Sequence, residues 1–207
     1  NNEIKIRYNT SKNKEVKPSS FFRELRGKTC FVDMVKELEF CFSAVNQICE
    51  RNTSLIPENQ HFHRAFRIFF FGVYSNEVEI KIEEDDIISK NLISFIKKEQ
   101  DKYKKDERPF HKRNIKIRYV PFQGHESRLA HYYRHLFQTV KYVVQQEKKQ
   151  LTEYDESRQY LRVLRAQLSN SEQLLLYYNY IYGFGKNWDK LGSKNCKPST
   201  KSGLNLV

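Results

Sequence analysis

The chain has 207 residues, enough for one domain of ordinary size, and its 15 Phe and 13 Tyr can build a hydrophobic core, which excludes global disorder. Only 7 Gly and 5 Pro occur, which excludes collagen-like and low-complexity architectures, and no apolar run reaches the roughly 18 residues that a membrane span needs. The formal net charge of +12 favours polyanionic partners, either nucleic acid or an anionic membrane surface.

Composition divides the chain into three segments. We expect a polar lead-in over residues 1–18, a helical domain over 19–185 and a polar, flexible tail over 186–207. The fold class we expect is mainly α, a helical bundle with a small β element.

Three short segments alternate between apolar and polar residues and are candidates for that β element. They are residues 4–8, 78–82 and 115–119, and the first and last share the pentapeptide IKIRY. The two identical segments would pair with each other, or each would pair elsewhere. Between the first two, Ser20 followed by two Phe residues predicts a short helix that Gly27 stops.

Apolar residues at spacings of three and four predict the remaining helices. Ser169 and Glu172 form a capping box, in which each side chain bonds the other's backbone at a helix start. The predicted helices are 28–50, 58–75, 85–104, 124–149, 154–168 and 170–182.

The four cysteines contain no C-x-x-C pair. Three of them, Cys30, Cys41 and Cys49, fall in one predicted helix, and Cys196 falls in the tail. This spacing fits neither a zinc knuckle nor a disulfide framework, so we interpret them as small buried residues of a protein from a reducing compartment.

A helical wheel of 124–149 separates an apolar face from a polar one. Leu129, Tyr133, Leu136, Val140, Val143 and Val144 form the predicted core face. We name the opposite face the polar stripe; it consists of Arg128, His131, His135, Gln138 and Tyr142, and His125, Tyr132 and Arg134 flank it.

An arginine and a histidine two turns apart suit metal-independent RNA cleavage. The guanidinium of Arg128 would bind a phosphate, and His135, supported by His131, would transfer protons near neutral pH. Two histidines at i and i+4 also suit a metal ion, but no third ligand is evident, so we predict neither metal nor cofactor. A structural or partner-facing stripe is the other interpretation.

A basic segment precedes this helix. Residues 97–118 hold ten Lys/Arg and four acidic residues, a footprint of polyanion binding. We predict that five side chains contact nucleic acid, through phosphates or stacked bases: Lys112, Arg113, His125, Tyr132 and Arg134.

Two segments resemble the phage abortive infection proteins of the AbiC type. Residues 124–137, GHESRLAHYYRHLF, look like one block of that family, and residues 164–179, LRAQLSNSEQLLLYYN, look like a second. Residues 27–31 and 69–73 are similar to two weaker N-terminal blocks. The resemblance implies bacterial defence, in which the infected cell is arrested or killed by a toxic effector.

Arg128 and His135 enclose six residues, which is similar to the Arg-x4–6-His signature of HEPN ribonucleases, although Leu129 stands where that signature usually has a polar residue. This likeness implies an RNA-cleaving homodimer, with Arg134 as a competing arginine. We expect the protein to act in the cytoplasm and to respond to a phage-derived or host protein trigger. Family members often carry membrane-spanning segments, so tethering to the inner membrane would come from segments absent here. The alternative is a non-catalytic sensor or partner-binding module.

Overall fold

The structure is a computed structural model, and it describes residues 5–9, 22–51, 57–75, 87–182, 185–188 and 191. The chain groups into two compact units, one up to Glu126 and one from Ser127 onward. Each unit is described separately below, and the domain boundaries expected from composition stay a prediction.

The described part of the chain is mainly α-helical, as predicted. Its helices are α1 (Lys28–Arg51), α2 (Glu58–Phe71), α3 (Ile87–Lys105), α4 (Glu126–Lys148), α5 (Tyr154–Gln167) and α6 (Asn170–Tyr182), and two short 3-10 turns cover Phe110–Lys112 and Gly185–Trp188. Their bounds lie within two residues of the predicted ones, except that α2 ends four residues early. There Gly72 adopts a φ of 88°, which a helix does not allow. None of these described helices is long and apolar enough to cross a membrane.

The small β element is a two-stranded antiparallel sheet. Strand β1 (Lys5–Asn9) pairs with β2 (Phe22–Arg26), and Ile6 lies opposite Leu25, both of them buried. The alternation at 4–8 therefore marks a strand, but its partner is not the identical pentapeptide at 115–119.

The predicted short helix after Ser20 is wrong, because β2 occupies this position. Five residues gain little from helix formation, since nucleation is costly, whereas pairing with β1 satisfies their backbone groups at once. Gly27, at a φ of 56°, ends no helix and instead joins β2 to α1. The alternating segment at 78–82 lies outside the described residues.

The core of the first unit forms where α1 packs against α2 and α3. Phe66 of α2 stacks on Phe70 with ring centroids 5.6 Å apart, and such aromatic pairs supply much of a core's buried area. The fully buried side chains of this unit include Phe31, Met34, Leu38, Phe66, Ile68, Phe69, Phe70, Leu92, Ile96, Ile117 and Phe122. Cys30, Cys41 and Cys49 are buried thiols, as expected, and Cys196 lies outside the described residues.

The second unit contains most of α4 and all of α5 and α6. The apolar face of α4 is buried at Leu129, Tyr133, Leu136 and Val140, as the helical wheel predicted, whereas Val143 and Val144 are only half-buried. Trp188 is also buried, and its ring meets Phe137 edge-on with centroids 5.2 Å apart.

Two glycines mark a close backbone crossing in the first unit. Gly72 follows α2 and Gly124 precedes α4, with φ angles of 88° and 85°. A Cβ on Gly72 would lie 2.5 Å from the carbonyl of Gln123, and one on Gly124 would meet the Phe71 carbonyl just as closely. Two backbone hydrogen bonds flank the crossing: Val73 N to Phe122 O (3.0 Å) and His125 N to Phe70 O (2.7 Å).

Replacing either glycine should destabilise the protein. We expect Gly72→Ala and Gly124→Ala each to cost at least about 2 kcal/mol, because the new Cβ meets rigid backbone and the positive φ disfavours alanine. The thermal unfolding midpoint should fall by about 4–8 °C. Gln123→Ala, at an exposed neighbouring position, is the control and should shift it little. Equal midpoints for all three variants would contradict the crossing.

Candidate functional site

A buried carboxylate on α1 holds the residues that lead into α4. Glu37 is fully buried; its Oε1 accepts the backbone N–H of Phe122 (2.7 Å) and its Oε2 lies 3.0 Å from Nε2 of His125. Because a carboxylate only accepts, the His125 proton lies on Nε2. The Tyr119 hydroxyl is 3.3 Å from the same nitrogen. Burial, and then the charge of Glu37, raise the pKa of Tyr119 well above its ordinary value.

The other polar contacts of this region fasten residues 113–125, which we name the connector. One turn before Glu37, the buried Asp33 accepts the backbone N–H of Arg118 (3.1 Å) and pairs with its guanidinium (3.3 Å). From α3, the Tyr103 hydroxyl donates to the carbonyl of Ile117 and Gln100 donates to that of Pro121. The connector forms no helix or strand, so side chains of α1 and α3 satisfy its buried backbone groups.

This hydrogen-bond network buries His125 and gives it a structural role. The residue is 2% exposed, and its ring packs on Phe69 with centroids 4.9 Å apart. A base or phosphate cannot reach it in this conformation. We therefore leave His125 out of the nucleic-acid surface proposed below.

The polar stripe of α4 faces solvent. His131, His135, Gln138 and Tyr142 are exposed and Arg128 is half-exposed. The rings of His131 and His135 meet edge-on, with centroids 4.4 Å apart and their Nε2 atoms 3.0 Å apart. Arg128 lies one turn before His131 and two turns before His135, a rise of about 10 Å along the helix axis.

The short distance between the imidazoles constrains their protons. Two nitrogens at 3.0 Å form a hydrogen bond only if one ring donates and the other accepts. The pair therefore holds one N–H donor and one lone pair in mutual contact, and both become available for acid–base chemistry when the ring-to-ring hydrogen bond opens. Among the described residues, no cluster of three or more His, Cys, Asp or Glu side chains is arranged to hold a metal ion.

Tyr132, next to the stripe, is tied to α6. Its hydroxyl donates to Glu172 (2.8 Å), and burial and this bond raise the pKa of Tyr132 well above its ordinary value. Glu172 also accepts the backbone N–H and hydroxyl of Ser169 (2.7 and 2.6 Å), so the predicted capping box is present. Tyr132 thus connects α4 to the start of α6.

The three predicted basic contacts differ in exposure. Lys112 and Arg134 are exposed, whereas Arg113 is half-buried. The Arg113 guanidinium lies 4.6 Å from the centroid of the Tyr103 ring, and its Nε donates to the carbonyl of Arg108 (2.7 Å). Lys112 and Arg134 are therefore the more accessible candidates for a phosphate.

We did not predict a role for Asp33 or Glu37 from the sequence. The sequence pattern could have indicated such a role, because both residues are acidic and lie four positions apart beside the apolar stripe of a predicted helix. Carboxylates that are buried at such positions need hydrogen-bond partners. Which backbone groups supplied those partners depended on the path of the connector, which periodicity does not describe.

Loss of the Glu37 carboxylate should destabilise the first unit. Glu37→Leu leaves the backbone N–H of Phe122 buried without an acceptor and removes the carboxylate that accepts the ring N–H of His125, and we expect a cost of about 3 kcal/mol or more. Thermal unfolding followed by circular dichroism should show a midpoint lower by roughly 6–12 °C. Glu39→Leu, exposed on the same helix, is the matched control. A similar small shift for both variants would refute the role assigned to Glu37.

Comparison with known proteins supports the resemblance over one segment. Residues 124–194, 71 of the 207, match the model of the family described as "Putative phage abortive infection protein". The similarity of 27–31 and 69–73 lies outside this match and stays a prediction. Searches of curated proteins and of solved structures found no match. The segment that begins at Gly124 and includes the polar stripe is thus similar to the phage abortive infection family.

Proposed function

We propose that this chain is an abortive-infection effector that cleaves RNA without a metal ion, using His131 and His135 with Arg128. The observation that supports this most directly is the solvent-exposed pair of imidazoles, 3.0 Å apart, on the same helix face as an arginine. This face lies within the family-matched segment.

The chemistry follows from the proton arrangement of the pair. The neutral, accepting imidazole removes the proton of an RNA 2′-hydroxyl, and that oxygen attacks the adjacent phosphorus. The bond from phosphorus to the 5′-oxygen breaks as the other imidazole, in its protonated form, gives a proton to that oxygen. The products are a 2′,3′-cyclic phosphate and a 5′-hydroxyl end, and no metal is required. When the phosphodiester enters, its hydrogen bonds to the two rings replace the bond between them. Both histidine side chains are exposed, so they can rotate apart to make this exchange.

Positive charge near the two histidines would stabilise the transition state of this cleavage. Arg128 and the exposed Arg134 lie on the same helix as the histidines and would neutralise the charge that develops on the phosphoryl oxygens. Lys112, in the first unit, is a further candidate for binding the RNA backbone. The proposal retains the homodimer that the likeness to HEPN ribonucleases implies, together with the expected cytoplasmic action and phage-derived or host trigger.

A second candidate function is a non-catalytic sensor or partner-binding module. It is favoured by the contacts of Tyr132, Ser169 and Glu172, all within the family-matched segment, which join and cap helices rather than face solvent. In that case the family pattern would reflect packing of α4 on α6.

Replacing the histidines tests the catalytic proposal. We expect the full chain to cleave single-stranded RNA in excess EDTA, leaving 2′,3′-cyclic phosphate ends. His135→Ala and His131→Ala should each lower the rate by 100-fold or more, since a positioned acid or base contributes about 10²–10⁴-fold. His63→Ala, exposed on α2, is the matched control and should leave the rate unchanged.

The same variants should be compared in phage-infected cells. Loss of protection in His135→Ala, with normal protein level and normal unfolding midpoint, agrees with catalysis. Full protection by His135→Ala would eliminate the ribonuclease and leave the non-catalytic module.

A further inference from the structure

An exposed tyrosine in the first unit lies beside two lysines of α3. Tyr74, in the turn after α2, is 54% exposed. The ammonium groups of Lys97 and Lys104 lie 5.0 and 5.5 Å from its ring centroid. The two lysines are seven residues apart and therefore share one face of the helix. The basic composition of residues 97–118 predicted that these lysines bind a polyanion, but no sequence pattern predicted that Tyr74 lies beside them.

We propose that Tyr74, Lys97 and Lys104, named here the Tyr74 platform, bind single-stranded RNA. An unpaired base would stack on the phenol ring, and the two ammonium groups would move from the ring to the phosphates on either side of that base. The platform lies outside the family-matched segment and is not part of the histidine site. It depends on the proposed function only for the choice of RNA as the polyanion.

Charge around the platform favours a polyanion. Residues 97–118 contain ten Lys/Arg and four Asp/Glu, an excess of six positive charges. Lys104 also lies 3.9 Å from Asp101 and bonds Gln100 (2.8 Å), but a surface ion pair of this kind is weak and gives way to a phosphate.

The surroundings favour nucleic acid over a membrane. Helices that bind membrane surfaces insert exposed Trp, Phe or Leu side chains into the lipid. Among the described side chains of α3, every exposed one is polar or charged: Lys90, Asn91, Ser94, Lys98, Asp101, Lys102, Lys104 and Lys105. Beside these described side chains of α3, the Tyr74 ring is an aromatic surface next to a polar and basic one, which suits a base rather than an acyl chain.

Fluorescence anisotropy of the full chain with a labelled 2′-O-methyl single-stranded RNA tests the platform. This probe cannot be cleaved, because its 2′-oxygens are blocked, so binding is measured whether or not the chain is a ribonuclease. Tyr74→Ala should weaken binding about tenfold, since stacking of one base contributes that order of affinity. Tyr74→Phe, which keeps the ring, should bind like the parent. Tyr160→Ala is the matched control, because Tyr160 is 51% exposed but bonds Glu156 instead of facing lysines.

The salt dependence provides a second readout. Lys97→Ala/Lys104→Ala should make the slope of log K against log salt shallower by about 1.4, because each phosphate contact on a single strand contributes about 0.7. The double variant Lys28→Ala/Lys149→Ala removes the same charge from other exposed positions and should leave the slope nearly unchanged.

An unchanged RNA affinity in Tyr74→Ala would overturn the platform. If the same variant then loses association with phosphatidylcholine/phosphatidylserine vesicles, the surface is a membrane contact instead. Failure of RNA cleavage in the histidine experiment changes neither result.

Discussion

The first unit depends on one requirement: the buried backbone of the connector needs hydrogen-bond partners, and it has no regular secondary structure to provide them. Glu37 and Asp33 supply acceptors from α1, whereas Tyr103 and Gln100 supply donors from α3. An unpaired buried N–H or carbonyl costs about 1–3 kcal/mol, so four such contacts are a large fraction of a domain's net stability. The same network fixes His125 directly before α4 begins.

Local pattern predicted the helices well, because amphipathic stripes of three or more turns leave few alternative structures. It failed at Phe22–Arg26, where five residues carry no clear period and pairing with β1 decides the conformation. At 115–119 the alternation was real, since Ile115, Ile117 and Tyr119 are buried, but side chains rather than a neighbouring strand satisfy the backbone. Alternation reports which side chains point inward and does not report what the backbone bonds.

The residues of the candidate site likewise differ in whether local sequence pattern could predict their positions. The helical wheel placed Arg128, His131 and His135 on an exposed face because these positions lie within one regular helix. It had no basis for His125, which precedes the helix, or for Tyr74, whose lysine neighbours come from a helix distant in sequence. Each unit thus carries one proposed surface: a proton-transferring one on α4 and a base-stacking one beside α3.

The crossing of Gly72 and Gly124 shows that the boundary of the family match differs from the boundary of the compact unit. The segment matched by family comparison begins at Gly124, but Gly124 and His125 bond and pack within the compact unit that extends to Glu126. A gene fragment cut at the start of the matched segment would remove the Phe70 carbonyl and the Glu37 carboxylate from His125, and the backbone of Phe71 and Gly72 from Gly124. The start of the segment that sequence comparison recognises therefore does not coincide with the start of the second compact unit, and its first residues belong physically to the chain before it.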